Sequence, residues 1–529
     1  MEKMLGVMLD CSRNAVMKPD KVKEFAAIIR KMGYNTLMLY TEDTYEIDSQ
    51  PFFGYMRGKY LKSELSDIDE YCRSIGIELI PCIQTLAHLN GMFKWKDAYR
   101  SINDIDDILL AGSEKTYELI DDMFRNLSGC ISSRKIHIGM DEAYMVGLGK
   151  YREINGIKER FEIINNHLKK VCEIAEKYGY ETMIWNDMFI KLATGNDFRD
   201  NSVDIEKIRQ KADSPKNVSL VYWDYYSLDP AKYEEMIRVS RAFGTKVYFA
   251  GGAWTWKGFA PNNGFCMKAL DAAFTGFENA PTDGDFITIW GDNGGECSPF
   301  TVLPALMYAA KRQKGKVDIL QLKKEFKEIT GADFDSFTTL DLIDIMNGEY
   351  DNGVSNKSSK KLFYNDPFIG LIDVYCKPED NEYYKELAFK IKAASEKAEK
   401  FKYEFTHYIK LCEVLAKKCD IGVRTRKAYK SGNREAIRKL VKEYEEIAEK
   451  ISAFHDAFEA RWFENAKPYG FEVQDIRIGG LKERFKSCAK RLLLYAEGKS
   501  ESIPELEEDI LETNILSNRW SEIVTANSI

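Results

Sequence analysis

Two adjacent carboxylates, Asp141 and Glu142, follow the short apolar run Lys135-Ile136-His137-Ile138-Gly139-Met140. A carboxylate pair at the C-terminal end of a strand is a common place for chemistry in an α/β barrel. Alone it could equally cap a helix, because a carboxylate there accepts otherwise unpaired backbone N–H groups. What decides between the two is the chemistry that the other strands deliver to the same rim.

Those strand ends are uniform in type. The first candidate strand runs into Asp10-Cys11-Ser12-Arg13, the second into Tyr40-Thr41-Glu42-Asp43, and the third through Gln84 to His88. The fifth ends at Trp185-Asn186-Asp187 and the sixth at Tyr222-Trp223-Asp224-Tyr225-Tyr226. Trp254 and Trp256 follow the seventh, and Trp290, Asp292 and Glu296 follow the eighth. Five of the 8 tryptophans therefore fall at successive strand ends, a repetition that core filling does not explain. Aromatic faces mixed with carboxylates and an arginine suit a polyol with apolar C–H faces and hydroxyl edges, which is a sugar.

Glycoside hydrolysis needs an acid for the leaving oxygen and something to stabilise the oxocarbenium-like centre. Sequence neighbours at a strand end point in different directions, so Asp141 and Glu142 are poorly placed to flank one bond. They suit a division of labour instead. Glu142 would protonate the leaving group while Asp141 holds and polarises a substrate group that makes the attack, such as a 2-acetamido oxygen.

The elements that must position these groups can be read from the pattern. Apolar, β-rich segments lie near 4–10, 35–40, 77–83, 135–139, 181–185, 218–223, 245–250 and 285–290. Helical periodicity fills 19–32, 64–75, 113–127, 157–178, 230–243 and 263–277, the first opening on Pro19. Gly33, Gly76, Gly179 and Gly244 stand between a helix and the next strand, where a left-handed residue reverses the chain. Eight strands alternating with helices predict an α/β fold, a (β/α)8 TIM-type barrel over 1–315. From 316 to 529 the β pattern fades, and 384–418, 424–463 and 479–497 predict an α-helical C-terminal domain. Asp351–Asp366 is polar and predicts a connector, and the loops 42–63, 89–112 and 190–215 would shape the leaving-group side.

The 529 residues are 44% hydrophobic and 30% charged with a net charge of −8, an ordinary globular composition without a basic block. That argues against a nucleic-acid partner. No run approaches the length of a membrane span, and the N-terminal apolar run is too short for a signal segment, so no membrane partner is expected. The 11 cysteines are scattered without a CxxC pair and suggest reduced thiols of a cytoplasmic protein. Only 5 histidines are present, so no metal site and no cofactor are expected. The long amphipathic helices also leave room for a homodimer.

His137-Ile138-Gly139-Met140-Asp141-Glu142 resembles the His-x-Gly-Gly-Asp-Glu signature of glycoside hydrolase family 20, the β-N-acetylhexosaminidases. The order of rim residues through 1–313 is similar as well. The resemblance implies release of terminal β-linked N-acetylglucosamine or N-acetylgalactosamine, with retention of configuration through an oxazolinium intermediate. It implies Glu142 as general acid/base and Asp141 as the carboxylate that orients the acetamido group. Arg13 would bind the C3 and C4 hydroxyls, and His88 would support the acid with Glu42 or Asp43 as its partner. Trp185, Trp254 and Trp290 would belong to the aromatic cage, Trp223 and Asp224 would also bind substrate, and Tyr225 or Tyr226 would hold the acetamido oxygen. Asp292 or Glu296 would meet the C4 and C6 hydroxyls. Met140 departs from the signature, which has glycine there. The β-sandwich that often precedes such barrels has no counterpart ahead of residue 4. These departures, and Ala466–Gly480, resemble a branch with a helical C-terminal domain.

Three other readings fit parts of the pattern. A metal-dependent amidohydrolase would need several histidines at strand ends, beginning with His-x-His on the first, where this chain has Asp10-Cys11-Ser12-Arg13. A conventional β-glycosidase acting on a 2-hydroxy sugar would use Glu142 as acid and Asp187, Asp224 or Glu296 as nucleophile. A non-catalytic sugar-binding barrel would keep the tryptophans and Arg13 but gain little from an acid at a strand end.

Overall fold

Strands with apolar residues on both faces need cover on both sides, and closing them into a ring of parallel strands under helices provides it. The computed structural model, which describes residues 3–195, 206, 217–345, 358–511, 521 and 525, shows that closure. Its barrel strands are β1 (Met4–Asp10), β2 (Thr36–Tyr40), β3 (Glu78–Cys82) and β4 (Lys135–His137). They continue with β5 (Glu181–Trp185), β6 (Val218–Trp223), β7 (Val247–Gly252) and β8 (Gly284–Ile289). Each strand pairs in parallel with its neighbours in sequence, and β1 closes on β8 from Met4 opposite Gly284 to Leu9 opposite Ile289.

The interior is filled by alternate residues: Met8, Met38, Ile80, Met183, Val221, Ala250 and Phe286 lie in one buried cluster with Tyr40 and Trp185. Trp223 and Trp290 pack against that cluster and are only partly buried. Outside the strands run α1 (Pro19–Met32), α2 (Lys62–Ser74), α3 (Glu114–Ser128), α4 (Arg160–Lys177), α5 (Asp187–Thr194), α6 (Pro230–Arg241), α7 (Asn263–Gly276) and α8 (Leu303–Arg312). Gly33, Gly76, Gly179 and Gly244 take φ values of 108°, 75°, 73° and 76° at the ends of α1, α2, α4 and α6, as their spacing anticipates.

Some expectations shift. β4 stops at His137, two residues early, because Gly139 and Met140 leave the extended region. The sequence pattern missed α5, whose eight residues are too few to show periodicity, and a small antiparallel pair, Asn103–Ile105 with Ile108–Leu109. Most of the loop 190–215 lies outside the described residues, as do 351–357 of the expected connector. The rest of that connector is not polar coil, since Ser359–Tyr364 is a buried helix.

The chain divides into two compact units: Met1–Ala253 with Cys266–Gly291 and Ala305–Asp318, and Trp254–Phe265 with Asp292–Pro304 and Ile319–Ile529. The barrel strands all belong to the first. The second therefore takes two short segments from the chain beyond β7 and β8, carrying Trp254, Asp292 and Glu296 with it.

Within the second unit lie α9 (Pro378–Ser395), α10 (Tyr403–Lys418), α11 (Ile421–Lys430), α12 (Arg434–Asn465) and α13 (Phe471–Ala496). The run expected over 424–463 breaks at Gly432, and Asn433 then caps α12 by accepting the Ala436 N–H at 3.0 Å. Phe454, Phe458 and Trp462 of α12 pack against Phe471 or one another, with Phe454 and Phe458 stacked at 5.7 Å. Such burial is worth about 2 kcal/mol per large side chain, more than the roughly 1 kcal/mol that each of Gly479 and Gly480 costs inside α13. All 11 cysteines are buried thiols. Among the described residues no helix is long and apolar enough to cross a membrane.

Candidate active site

The C-terminal ends of β1, β2, β3, β4 and β5 hold one connected polar network. It starts at Asp10, the last residue of β1, whose Oδ1 accepts from the Ser12 N–H at 2.9 Å and the Ser12 hydroxyl at 2.8 Å. Its Oδ2 accepts from the Gly291 N–H beyond β8 at 2.8 Å. This turn presents Arg13, whose Nε donates to Glu42 Oε1 at 3.0 Å. The guanidinium also lies over the rings of Tyr40 and Trp290, 5.7 and 5.6 Å from their centroids. Burial pushes the Glu42 carboxyl up, against the pull of Arg13 in the other direction.

From Glu42 the network continues inward. The Tyr40 hydroxyl donates to Glu42 Oε1 at 3.3 Å and accepts from Gln84 Nε2 at 2.9 Å. Gln84 Nε2 also donates to Asp141 Oδ1 at 2.7 Å, and Gln84 Oε1 accepts the Met140 N–H at 3.1 Å. One amide thus fixes both the carboxylate and the backbone that carries it.

That backbone is unusual. Gly139, Met140 and Glu142 have φ of 72°, 71° and 49°, in the left-handed region. A side chain at Gly139 would bring its Cβ within 2.1 Å of Gln84 Oε1, so glycine is required while Gln84 holds Asp141. Met140 has no such exemption, and a left-handed L-residue costs about 1–2 kcal/mol. Complete burial of its side chain, worth about 2 kcal/mol, and the bond to Gln84 offset that cost.

Glu142 is held from the other side. Its N–H donates to Asp187 Oδ2 at 2.9 Å, while Asp187 Oδ1 is buried with no hydrogen-bond partner. Burial, with Asp141 nearby, pushes the Asp187 carboxyl up to about 8, which favours its protonated form. The side chain of Glu142 itself is 43% exposed, against 13% for Asp141. The pair therefore differs in environment: one carboxylate is clamped, and its neighbour faces outward.

His88 completes the clamp. Its Nε2 lies 3.2 Å from Asp141 Oδ2 and 3.7 Å from Glu142 Oε2. The residue is set by backbone with φ of 58° and by its backbone N–H, which donates to Asp107 Oδ2 at 3.1 Å. Burial lowers the basicity of His88, but the Asp141 carboxylate outweighs it and holds the imidazole at about 9. Asp141 in turn is held below the usual carboxylate range, because His88 and Gln84 overcome its burial. Of the two carboxylates expected beside His88, Glu42 acts on it through its charge, and the close contact is with Asp141. Glu42 is taken by Arg13, and Asp43 forms a buried ion pair with Arg57 at 2.9 Å.

The aromatic residues lie around this network in the first unit. Trp290 meets Tyr40 edge to face at 4.8 Å, and its Nε1 donates to the Tyr225 hydroxyl at 3.0 Å. Tyr225 stacks on Trp223 at 5.3 Å, and burial raises its phenol well above the ordinary value. Trp185 is fully buried, 4.4 Å from His137 and 6.2 Å from Trp290. His137 is buried too; its Nδ1 accepts the Gly139 N–H at 3.1 Å, and burial lowers it to about 3, so it is neutral.

Residues 4–263 match the model of the glycosyl hydrolase family 20 catalytic domain, and residues 335–524 match that of the glycoside hydrolase 20C C-terminal domain. The chain belongs to glycoside hydrolase family 20. Among solved structures it is similar to the exo-β-N-acetylglucosaminidase of Vibrio harveyi in complex with N-acetylglucosamine. That match has 16% identity over 64% of this chain and 58% of the other, with a TM-score of 0.48. The β-N-acetylhexosaminidase of Streptomyces coelicolor A3(2) is similar at 19% identity over 62% and 69%, TM-score 0.45. That of Bacteroides fragilis NCTC 9343 is similar at 17% over 62% and 70%, TM-score 0.47. The chain thus spans 58% of the Vibrio relative's length.

Of the rim residues that the family 20 signature singles out, Arg13, Glu42, His88, Asp141, Glu142, Trp185, Trp223, Tyr225 and Trp290 come together around the network above. Tyr226 is placed by its N–H, which donates to Asp224 Oδ1 at 2.8 Å. Asp224 is itself committed, its second oxygen accepting from Tyr222 at 3.1 Å. Trp254 and Glu296 are seen in the second unit. Trp254 is buried against Trp256 and Phe265 at 5.2 and 4.7 Å. Glu296 is buried and ion-paired with Lys360 at 2.7 Å and Arg477 at 3.3 Å. Asp292 is in that unit as well, where its charge raises the basicity of Lys257 against the burial that lowers it.

Tyr40, Gln84 and the supporting part played by Asp187 escape a reading of the signature alone. Their common signal is position, since each lies at a strand's last residue or two beyond it.

Proposed function

We propose that the chain is an exo-acting β-N-acetylhexosaminidase that releases terminal β-linked N-acetylglucosamine or N-acetylgalactosamine by substrate-assisted, retaining hydrolysis. The observation that carries this reading is the asymmetry of the carboxylate pair. Asp141 is held at both oxygens by Gln84 and His88, while Glu142 faces outward.

In this mechanism Asp141 accepts the N–H of the substrate's acetamido group and orients it, which raises the nucleophilicity of the acetamido oxygen. That oxygen bonds to C1 as the C1–O bond to the leaving group breaks, and Glu142 gives its proton to the departing oxygen. An oxazolinium ion results. Water then attacks C1, the Glu142 carboxylate takes the water's proton, and the acetamido group is restored. Of the two tyrosines, Tyr225 better suits the acetamido oxygen, because Trp290 fixes its hydroxyl and the charge of Asp141 acts on it. Arg13 and Glu42 would meet sugar hydroxyls, with Trp290 against the ring.

A second carboxylate nucleophile has little support. Asp187 is buried with its proton affinity raised, Asp224 is consumed by its own turn, and Glu296 is paired with Lys360.

A panel of aryl β-glycosides differing at C2 and C4 tests the reading. Turnover should require the 2-acetamido group and be blocked by a thiazoline mimic of the oxazolinium ion. Hydrolysis of a 2-hydroxy glycoside, or a covalent glycosyl-enzyme trapped with a 2-fluoro sugar, would overturn it.

A further inference from the structure

The large apolar side chains that the first unit exposes are unevenly distributed. Among the described residues they are Phe52, Tyr55, Met56, Leu61, Tyr144, Met145, Leu148, Ile154, Ile157 and Leu228. Every one lies in the connection after β2, β4 or β6, on the rim that carries Asp141 and Glu142; among the described residues the opposite rim exposes none. Where such residues also touch one another they differ from apolar side chains scattered singly over a surface, which need no explanation.

One part of it is aromatic and ordered. Phe52 and Tyr55, 44% and 41% exposed, meet at 5.8 Å, and both touch Trp95, at 5.7 and 5.1 Å between centroids. The two segments involved begin inside the candidate active site. One leaves from Glu42, the partner of Arg13; the other leaves from His88, the partner of Asp141, and reaches Trp95 seven residues on. Seven residues span at most about 25 Å, so the rings lie within a few sugar units of the site.

The segments are also braced together. Asp43 pairs with Arg57, Arg57 donates to the Ser12 carbonyl in the Arg13 turn, and both side chains pack where a Cβ on Gly91 would fall, Asp43 Oδ2 at 2.7 Å and Arg57 at 2.9 Å. Gly54 stands at φ 62°, with the Asp43 carbonyl 2.2 Å from where its Cβ would be. These constraints fix exposed rings that would otherwise lose side-chain freedom on binding.

We propose that Phe52, Tyr55 and Trp95 form a stacking subsite for the sugars on the leaving-group side of an oligosaccharide. This rests on the glycosidase reading above. Pyranose rings offer flat C–H faces to such a cluster, and the exposed Lys94, Lys96 and Asp97 beside Trp95 can meet their hydroxyls. Selection for longer glycans would then come from these two loops rather than from the groups that hold the terminal sugar.

The test compares methyl β-N-acetylglucosaminide with four trisaccharides whose terminal N-acetylglucosamine is β-linked 1–2, 1–3, 1–4 or 1–6. Wild type should favour at least one trisaccharide over the methyl glycoside. Phe52→Ala, Tyr55→Ala and Trp95→Ala should each cut kcat/KM for it about tenfold more than for the methyl glycoside, mainly through KM. Trp95→Phe should recover most of the loss. Phe52 and Tyr55 are surface residues, so their variants keep the proposal falsifiable if Trp95→Ala misfolds. Equal losses on both substrates, no trisaccharide preference in wild type, or a variant-induced change of oligomeric state in sedimentation would overturn it, the last by assigning the patch to a second copy of the chain. Wild type inactive on every N-acetylhexosaminide would instead remove the glycosidase reading itself.

Discussion

His88 Nε2 and Asp141 Oδ2 stand 3.2 Å apart, and each moves the other's proton affinity in the direction that keeps both charged. For His88, whose folded value of about 9 exceeds its ordinary one, the stabilising contribution is complete below about pH 6.5 and is lost as pH rises through 9. The kcat/KM profile should therefore fall on the alkaline side near pH 9. His88→Gln should lower kcat/KM by about 10²-fold, the size of an orientation effect, and move that limb. An unmoved limb would detach His88 from catalysis.

Glu142→Gln removes the proposed proton donor and leaves the clamp on Asp141 intact. Turnover should drop by about 10²–10⁴-fold on alkyl glycosides. The loss should be much smaller on 2,4-dinitrophenyl leaving groups, which depart without a proton. Equal losses on both would remove Glu142 from the role of acid.

Asp141→Asn and Asp141→Ala should damage both substrate classes alike, by about 10²-fold or more, since in the proposed mechanism they remove the positioning of the acetamido group. Near-normal turnover by Asp141→Ala would end the substrate-assisted proposal.

Asp187 gives a prediction about stability rather than rate. Its folded value, about 8, lies above the ordinary carboxylate value, so the folded state binds the extra proton and this group's contribution falls as pH rises from about 4 to 8. Asp187→Asn imitates the protonated form and still accepts the Glu142 N–H. Its Tm should match wild type near pH 4 and exceed it at pH 8, by calorimetry. A variant less stable at every pH would show that the carboxyl is not protonated in the fold.

Met140→Gly sets two opposed terms against each other. Glycine relieves about 1–2 kcal/mol of left-handed strain but empties a fully buried side chain, which costs about 2–5 kcal/mol. The cavity should win, lowering stability by about 1–3 kcal/mol in urea unfolding. A more stable variant would mean that the strain at residue 140 dominates.

The barrel was legible because its strands are apolar on both faces and its helices end at Gly33, Gly76, Gly179 and Gly244, signals that lie within a few residues of each other. Arg13, His88, Asp141 and Glu142 could be found from their places at strand ends. Their partners could not. Gln84 reaches Asp141 across 57 positions and Tyr40 reaches Gln84 across 44, and no local pattern encodes either bond. Nor does a local pattern show that Glu42 reaches His88 through its charge while Arg13 is its hydrogen-bonded partner, or that Asp43 pairs with Arg57. The second unit's breaks at Gly432 and Glu399 were blurred by Lys/Glu-rich stretches that read as continuous helix.

Asp10 ties the turn that presents Arg13 to the Gly291 N–H, 281 positions later in the chain. That latch exists only once the last strand has docked against the first. Such distant contacts form late, because closing a long loop is entropically costly before it is rewarded. During refolding, helical signal should thus return ahead of sugar binding, and a chain halted before residue 291 would be helical yet lack this tie on the turn that presents Arg13. Ring closure, rather than the making of any one element, is the event that completes the Arg13 side of the candidate site.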